Sequence, residues 1–269
     1  MGDAFSSKKH DAMADLAIDP DVLANELAAE LVGDPLDEIA LDDPEHDALL
    51  AARACDEGLE WLQQGHDQWL QGLRVFCEHR DPRAVPLLLP LLKESCPVVR
   101  MSAVYALGRN PSTQAVQPLL QLLKLDSNAY VRKATAWSLG NYSDAPVLNP
   151  LIHALQTDVA SVRLWASVSL AEAGSTSPAK ADLAAGQLLV SLQIDSEPVV
   201  RSNCIWSLAR LYDHLVKPRQ DQVVEMFVGA LLKDREATVR DEARTALEQI
   251  DDPELVDRLK TLLDEGLLL

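Results

Sequence analysis

The chain has 269 residues, of which 48% are hydrophobic, 4% aromatic and 25% charged, with only 11 glycines. This is enough apolar material for a sizeable core, while the scarcity of aromatic residues and turn glycines disfavours a β-sandwich or barrel and suits a helical protein. The net charge of −18 is concentrated at the start: residues 1–47 hold fourteen acids and two bases, leaving −6 for the rest. A chain of this balance repels a phosphate backbone, and nucleic acid is not an expected partner.

Taken in order, residues 1–43 are acidic and nearly free of aromatics, a composition that predicts disorder. One short amphipathic helix is expected within them, Val22–Val32, with Leu23, Leu27 and Leu31 on one stripe and Gly33 behind it. Met1–Lys9 lacks the apolar stretch of a secretory signal. No apolar run approaches the ~18 residues of a membrane span, so membrane insertion is not expected and the reading is a cytoplasmic protein. Two helical stretches follow, Pro44–Gln64 and Asp67–His79, which read as a divergent first hairpin.

From there the chain repeats itself. Val-Arg recurs at Val99-Arg100, Val131-Arg132, Val162-Arg163, Val200-Arg201 and Val239-Arg240, with arginine spacings of 32, 31, 38 and 39. Three residues after each arginine stands a small side chain (Ala103, Thr135, Ala166, Cys204, Ala243), and seven after it a leucine (Leu107, Leu139, Leu170, Leu208, Leu247). Upstream, Leu91, Leu123, Leu155, Leu192 and Leu231 recur in register, and an acid precedes each Val-Arg (Glu94, Asp126, Asp158, Asp195, Asp234). Each unit reads as a first helix, a polar turn and a second helix that begins near the Val-Arg. Pro86, Pro118 and Pro150 are expected in or before the first turn of a first helix, and Gly108, Gly140 and Gly174 as left-handed stops of second helices. One hairpin cannot bury its apolar face alone, so the units must stack. Residues 252–269, with Leu255, Leu259, Leu262 and Leu263, supply a closing helix.

The strings "DPRAVPLLLPLL…CPVVRMSAVYALGR" and "VQPLLQLL…AYVRKATAWSLGNY" resemble HEAT repeats of the phycobilin-lyase type, over about residues 45–269. "VRMSAVYALGRNPS", "YVRKATAWSLGN" and "SVRLWASVSLA" look nearest to the cyanobacterial branch that partners an IscA-type iron–sulfur carrier. The expected architecture is therefore all-α, a right-handed α-solenoid of about six HEAT-type hairpins over residues 44–269. The resemblance implies a cytoplasmic scaffold whose protein partner is an iron–sulfur carrier or a phycobiliprotein. Its alternative is a lyase subunit that transiently binds a phycocyanobilin-type tetrapyrrole; otherwise no cofactor is called for. One branch of the family is a hydroxylase that binds two irons through His-Glu pairs. Here none of His10, His46, His66, His79, His153 and His214 is followed by glutamate, and no metal site is expected.

No nucleophile elbow, Walker loop or dinucleotide fingerprint is present, and the sequence offers no catalytic constellation. Cys55, Cys77, Cys96 and Cys204 show no metal or disulfide spacing and read as small buried hydrophobes, with Cys96 next to Pro97 the candidate for a reactive thiol. Arg100, Arg132, Arg163, Arg201 and Arg240 form a regular series that suits inter-repeat ion pairs and carbonyl contacts, with a carboxylate-gripping role as the alternative.

The informative departure lies on the second helices. Counting from each arginine as zero, positions +1 and +5 fall opposite the apolar face. They hold Met101 and Tyr105, Lys133 and Trp137, Leu164 and Val168, then Ser202 and Trp206. Aromatics bury roughly 150–250 Å² each, so a stripe of them exceeds the ~300–600 Å² largest apolar patch of an ordinary monomer. The candidate partner-binding residues are accordingly Met101, Tyr105, Lys133, Trp137, Leu164, Val168 and Trp206, the alternative being that the rings tuck between adjacent second helices as ordinary packing. Trp165, at +2, is expected in the core.

Overall fold

A computed structural model of the chain describes residues 44–250 together with Leu255, Lys260 and Thr261, with side chains from Asp47 onward. The expectations for residues 1–43, and most of those for the closing helix, lie outside the described residues. The described residues from 51 onward form one compact unit, and the described part of the other, residues 44–50, is the opening of the first helix.

Twelve α-helices and no strand occur among the described residues. They are α1 (Pro44–Gln64), α2 (Trp69–Glu78), α3 (Val85–Leu91), α4 (Pro97–Arg109), α5 (Thr113–Leu125), α6 (Ala129–Leu139), α7 (Leu148–Thr157), α8 (Ala160–Gly174), α9 (Pro178–Ile194), α10 (Pro198–Leu211), α11 (Lys217–Lys233) and α12 (Ala237–Glu248). Odd-numbered helices are the first of a hairpin and even-numbered the second, giving six hairpins in an α-solenoid. Local chemistry sets the starts: Asn128 accepts from the Tyr130 amide at the head of α6, Ser112 from that of Gln114 before α5, and Ser177 from that of Lys180 in α9. Pro97, Pro178 and Pro198 occupy first-turn positions where a missing N–H does no harm.

The core is built from the repeated positions. Val99, Val131, Val162, Val200 and Val239 are fully or almost fully buried, as are the leucines seven residues beyond each arginine. Burial extends further than one face of the second helices: Val104, Ala136, Ser167 and Ile205, at +4, are also sealed. The reason is that α2, α4, α6, α8, α10 and α12 pack directly on one another through the stack, so each inner member is covered on both flanks as well as by its own first helix. The first helices touch each other far less and leave clefts between them, of about 850 Å³ between α3 and α5 and about 540 Å³ between α5 and α7.

Two local expectations are corrected. Only Gly65 among the described glycines has a positive φ, 107°. Gly108 and Gly174 are instead helical and Gly140 caps α6 with φ −58°, so none is a left-handed stop. Their use is close approach of neighbouring helices: a Cβ on Gly108 would lie 2.7 Å from Trp137 Cζ3, and one on Gly140 2.9 Å from Ser169 Oγ. Pro118 sits inside α5 rather than at its start, because Ser112 begins that helix five residues earlier than the proline signal suggests. Pro90 likewise lies within the short α3.

Candidate partner-binding ridge on the second helices

The arginine series lies at the turn end of the stack. Arg100 donates from Nε and Nη2 to the two carboxylate oxygens of Asp126, at 2.7 and 2.9 Å. Arg132 does the same to Asp158, Arg163 to Asp195 and Arg201 to Asp234, all at 2.7–2.8 Å. Each therefore holds the acid of the next hairpin, while its Nη1 donates to a carbonyl of its own turn: Glu94, Asp126, Asp158 and Asp195 respectively. Arg240 makes the corresponding bond to the Asp234 carbonyl at 2.8 Å. The aspartates have a second task. Each accepts an amide of its own turn, from Asn128, Val159, Glu197 or Glu236, which folds the segment entering the second helix.

Burial alone would raise the carboxyls of Asp126 and Asp158, but the hydrogen bonds from Arg100 and Arg132 win and hold them below the usual range. Asp234 is lowered first by its hydrogen bonds from Arg201. The guanidiniums of these rungs are engaged on protein groups rather than presented to a ligand.

The +1 and +5 side chains lie on the surface of the second helices with part of each side chain uncovered. Met101, Tyr105, Lys133, Trp137, Leu164 and Val168 are half-buried, and Trp206 is 38% exposed. Tyr105 and Trp137 meet at 5.3 Å between ring centroids with planes 57° apart, and the Trp137 indole leans into the space that Gly108 leaves open. Trp206 carries the Arg210 guanidinium 5.0 Å from its ring, and Arg210 in turn bonds Glu172 at 2.8 Å.

Three features were not read from the sequence. Position −2 shares the stripe, two helical turns before +5, and it presents Val98 (48% exposed), Tyr130 (67%) and Val199 (48%). The spacing of seven residues was the signal that would have found them. Trp165 is half-buried rather than sealed in the core. It lines, with Val168, Ser202, Asn203, Trp206 and Glu242, a cavity of about 330 Å³ where α8, α10 and α12 meet. A neighbouring cavity of about 550 Å³ shares Ser202 and Glu242 and adds Pro198, Val199, Glu236 and Thr238.

All four cysteines are free. Cys204 is fully buried at position +3, and burial drives its thiol far above the ordinary range. Burial, then the Glu78 charge, pushes Cys77 up to about 11. Cys96, half-buried, directly precedes α4. Among the described residues no group of three or more His, Cys, Asp or Glu side chains is placed to hold a metal ion, and no helix is long and apolar enough to cross a membrane.

A family model for HEAT repeats matches residues 70–140, 116–209 and 185–266. No curated protein matches the chain. Among solved structures, computationally designed armadillo repeat proteins for modular peptide recognition align with a TM-score of 0.52 at 18% identity, covering 72% of this chain and 98% of theirs. An engineered protein aligns with a TM-score of 0.51 at 20% identity, covering 71% of this chain and 97% of its own. Kap95p, the yeast importin-β, aligns in its structure with RanGDP with a TM-score of 0.53 at 18% identity, over 83% of this chain and 34% of that one. At these identities the structural likenesses establish the fold alone.

Proposed function

The chain belongs to the HEAT-repeat family, and from that premise we propose that it is a non-catalytic scaffold that holds a protein partner along the ridge of its second helices. The observation that carries this reading is the run of apolar side chains along the second helices, of which Val98, Tyr130, Val199 and Trp206 are exposed and Tyr105 and Trp137 half-buried. Rings in such a stripe gain most when a partner removes them from water, and tryptophan and tyrosine are the residues that most often dominate an interface. The sequence resemblance supplies the finer part of the proposal, a role in cyanobacterial iron–sulfur or phycobilisome metabolism with an iron–sulfur carrier or a phycobiliprotein as partner.

The pigment-binding alternative draws on arginines to hold tetrapyrrole propionates. Arg100, Arg132, Arg163 and Arg201 each already grip an aspartate with two nitrogens, which favours the scaffold. Affinity capture from native cytosol tests the proposal. The Tyr105→Ala/Trp137→Ala/Trp206→Ala variant is expected to lose the protein that wild type retains. Leu125→Ala, which alters a 73% exposed side chain at the end of the first helix α5, is expected to keep it. Equal capture by the triple variant, shown to be folded, overturns the proposal.

A further inference from the structure

The junction of α8, α10 and α12 differs from the rest of the ridge because it places a carboxylate among indoles. Glu242 is partly buried, lines both cavities there, and has no hydrogen-bond or ion-pair partner among the described residues. Burial pushes its carboxyl above the ordinary glutamate value, as expected of a charge that lacks a counter-ion. Trp165 and Trp206 share the 330 Å³ cavity with it. Ser202 lines both cavities, and its hydroxyl is buried and without a hydrogen-bond partner.

The chemistry of this lining selects among occupants. An anion would meet the Glu242 charge. A purely apolar group would strand that carboxylate further from water, at a cost no contact offsets. A metal ion would find two carboxylates, Glu242 and Glu236, and no third ligand of the usual kind. A cation on an apolar stem suits this lining: methylenes lie against indole, and the charge meets a ring face and a carboxylate. The surroundings agree in sign. Glu236 and Asp241 are exposed nearby on and just before α12, the adjacent Arg210 is already held by Glu172, and residues 48–269 carry a net −6. That field steers a basic partner toward the surface.

We propose that this junction is the receptor for a lysine or arginine side chain of the partner, which enters beside Trp165 and Trp206 and ends on the Glu242 carboxylate. The inference rests on the ridge reading above and adds to it the charge of the docking segment: an extended, basic stretch of protein.

The test uses the full chain and three synthetic decapeptides in which serine alternates with lysine, glutamine or glutamate, with binding followed by tryptophan fluorescence and by amide shifts. The lysine peptide is expected to bind, and the glutamine and glutamate peptides to bind at least about tenfold more weakly. Glu242→Gln and Trp206→Ala are each expected to weaken the lysine peptide about tenfold, the worth of one partly desolvated cation contact. Asp221→Asn, which removes the same unit of charge on α11, is expected to leave it unchanged. Glu242→Gln keeps the side-chain shape, so an unaltered melting curve shows that its effect is not one of folding. Equal affinity of Glu242→Gln and Asp221→Asn, or equal binding of the glutamine peptide, overturns the inference. So does tetramethylammonium chloride binding as tightly as the lysine peptide, which marks a small-cation site. Weakening by Tyr105→Ala or Trp137→Ala with none by Glu242→Gln sinks this inference and leaves the ridge reading intact.

Discussion

Replacing Arg201 by alanine tests whether the rungs between hairpins hold the stack together. Its side chain is 6% exposed and that of Asp234 11%, so the truncation leaves a nearly buried carboxylate facing a void. It also orphans the Asp195 and Ser196 carbonyls that Nη1 now satisfies. Breaking one side of a buried pair costs about 3–5 kcal/mol, and the residual exposure of this rung places it near about 3. For a unit of this size each kcal/mol moves the midpoint by about 2–4 °C, so the expected loss in Tm is about 6–12 °C. The comparison is Arg210→Ala. That arginine also bonds an acid at 2.8 Å, but the two side chains are 51% and 46% exposed. A surface pair is worth about 0–1 kcal/mol, and the shift is expected to stay under about 4 °C. Thermal melts followed by helical circular dichroism separate the two cases. A third variant, Arg201→Met/Asp234→Leu, removes both charges and is expected to regain the part of the loss that comes from the stranded carboxylate, while the Asp195, Ser196 and Glu236 backbone groups stay unpaired. A Tm for Arg201→Ala within 2 °C of Arg210→Ala, by the same ~2–4 °C conversion, refutes the assignment of stability to the rungs. A double variant no better than the single one refutes its origin in the stranded carboxylate.

Two further outcomes are expected. Asp126, Asp158 and Asp234 all have carboxyls held below the free value of 3.8 when folded, so their contribution is complete above that pH and lost as pH falls through the lowered values. Denaturant titrations should show stability dropping below pH 3.8, and Asp158→Asn should flatten that drop; a slope unchanged in the variant counts against the linkage. Gly108→Ala places a methyl group 2.7 Å from the Trp137 ring and 3.0 Å from Ser138 Oγ. It should destabilise by about 1–3 kcal/mol and shift tryptophan emission to the red as the indole is pushed outward, while an unchanged spectrum would show that the ring does not rest on Gly108.

The hairpins were legible because each repeats the same few constraints: a valine and a leucine on a buried arc, a small residue between them, and a polar turn ahead. What a single-helix wheel does not contain is the second neighbour. Treating each second helix as buried on one arc leaves Ala136 and Ile205 undecided and misassigns Gly108, whose role depends on the Trp137 ring of the next hairpin. The same limit explains the incomplete ridge. Tyr105, Trp137 and Trp206 stand out by residue type, whereas Tyr130 and Val199 resemble ordinary opening residues of a helix until the stripe is followed back two turns. Trp165 was assigned to the interior because +2 borders the buried arc. Its pairing with Glu242 joins residues 77 positions apart and arises only when α8, α10 and α12 are set side by side.

The rungs also bear on how such a chain tolerates changes in length. Arginine-to-arginine spacing ranges from 31 to 39 residues, yet the bidentate grip on the following aspartate varies by only 0.2 Å, from 2.7 to 2.9 Å. The extra residues of the later units are taken up in the longer first helices α9 and α11, 17 residues each against 13 in α5 and 10 in α7. Arg100, Arg132, Arg163 and Arg201 thus each meet a chemically identical acceptor in the unit that comes next. Excising one complete hairpin would offer the orphaned guanidinium an equivalent carboxylate from the hairpin beyond, so the array is free to shorten or lengthen by whole units without redesigning its joints.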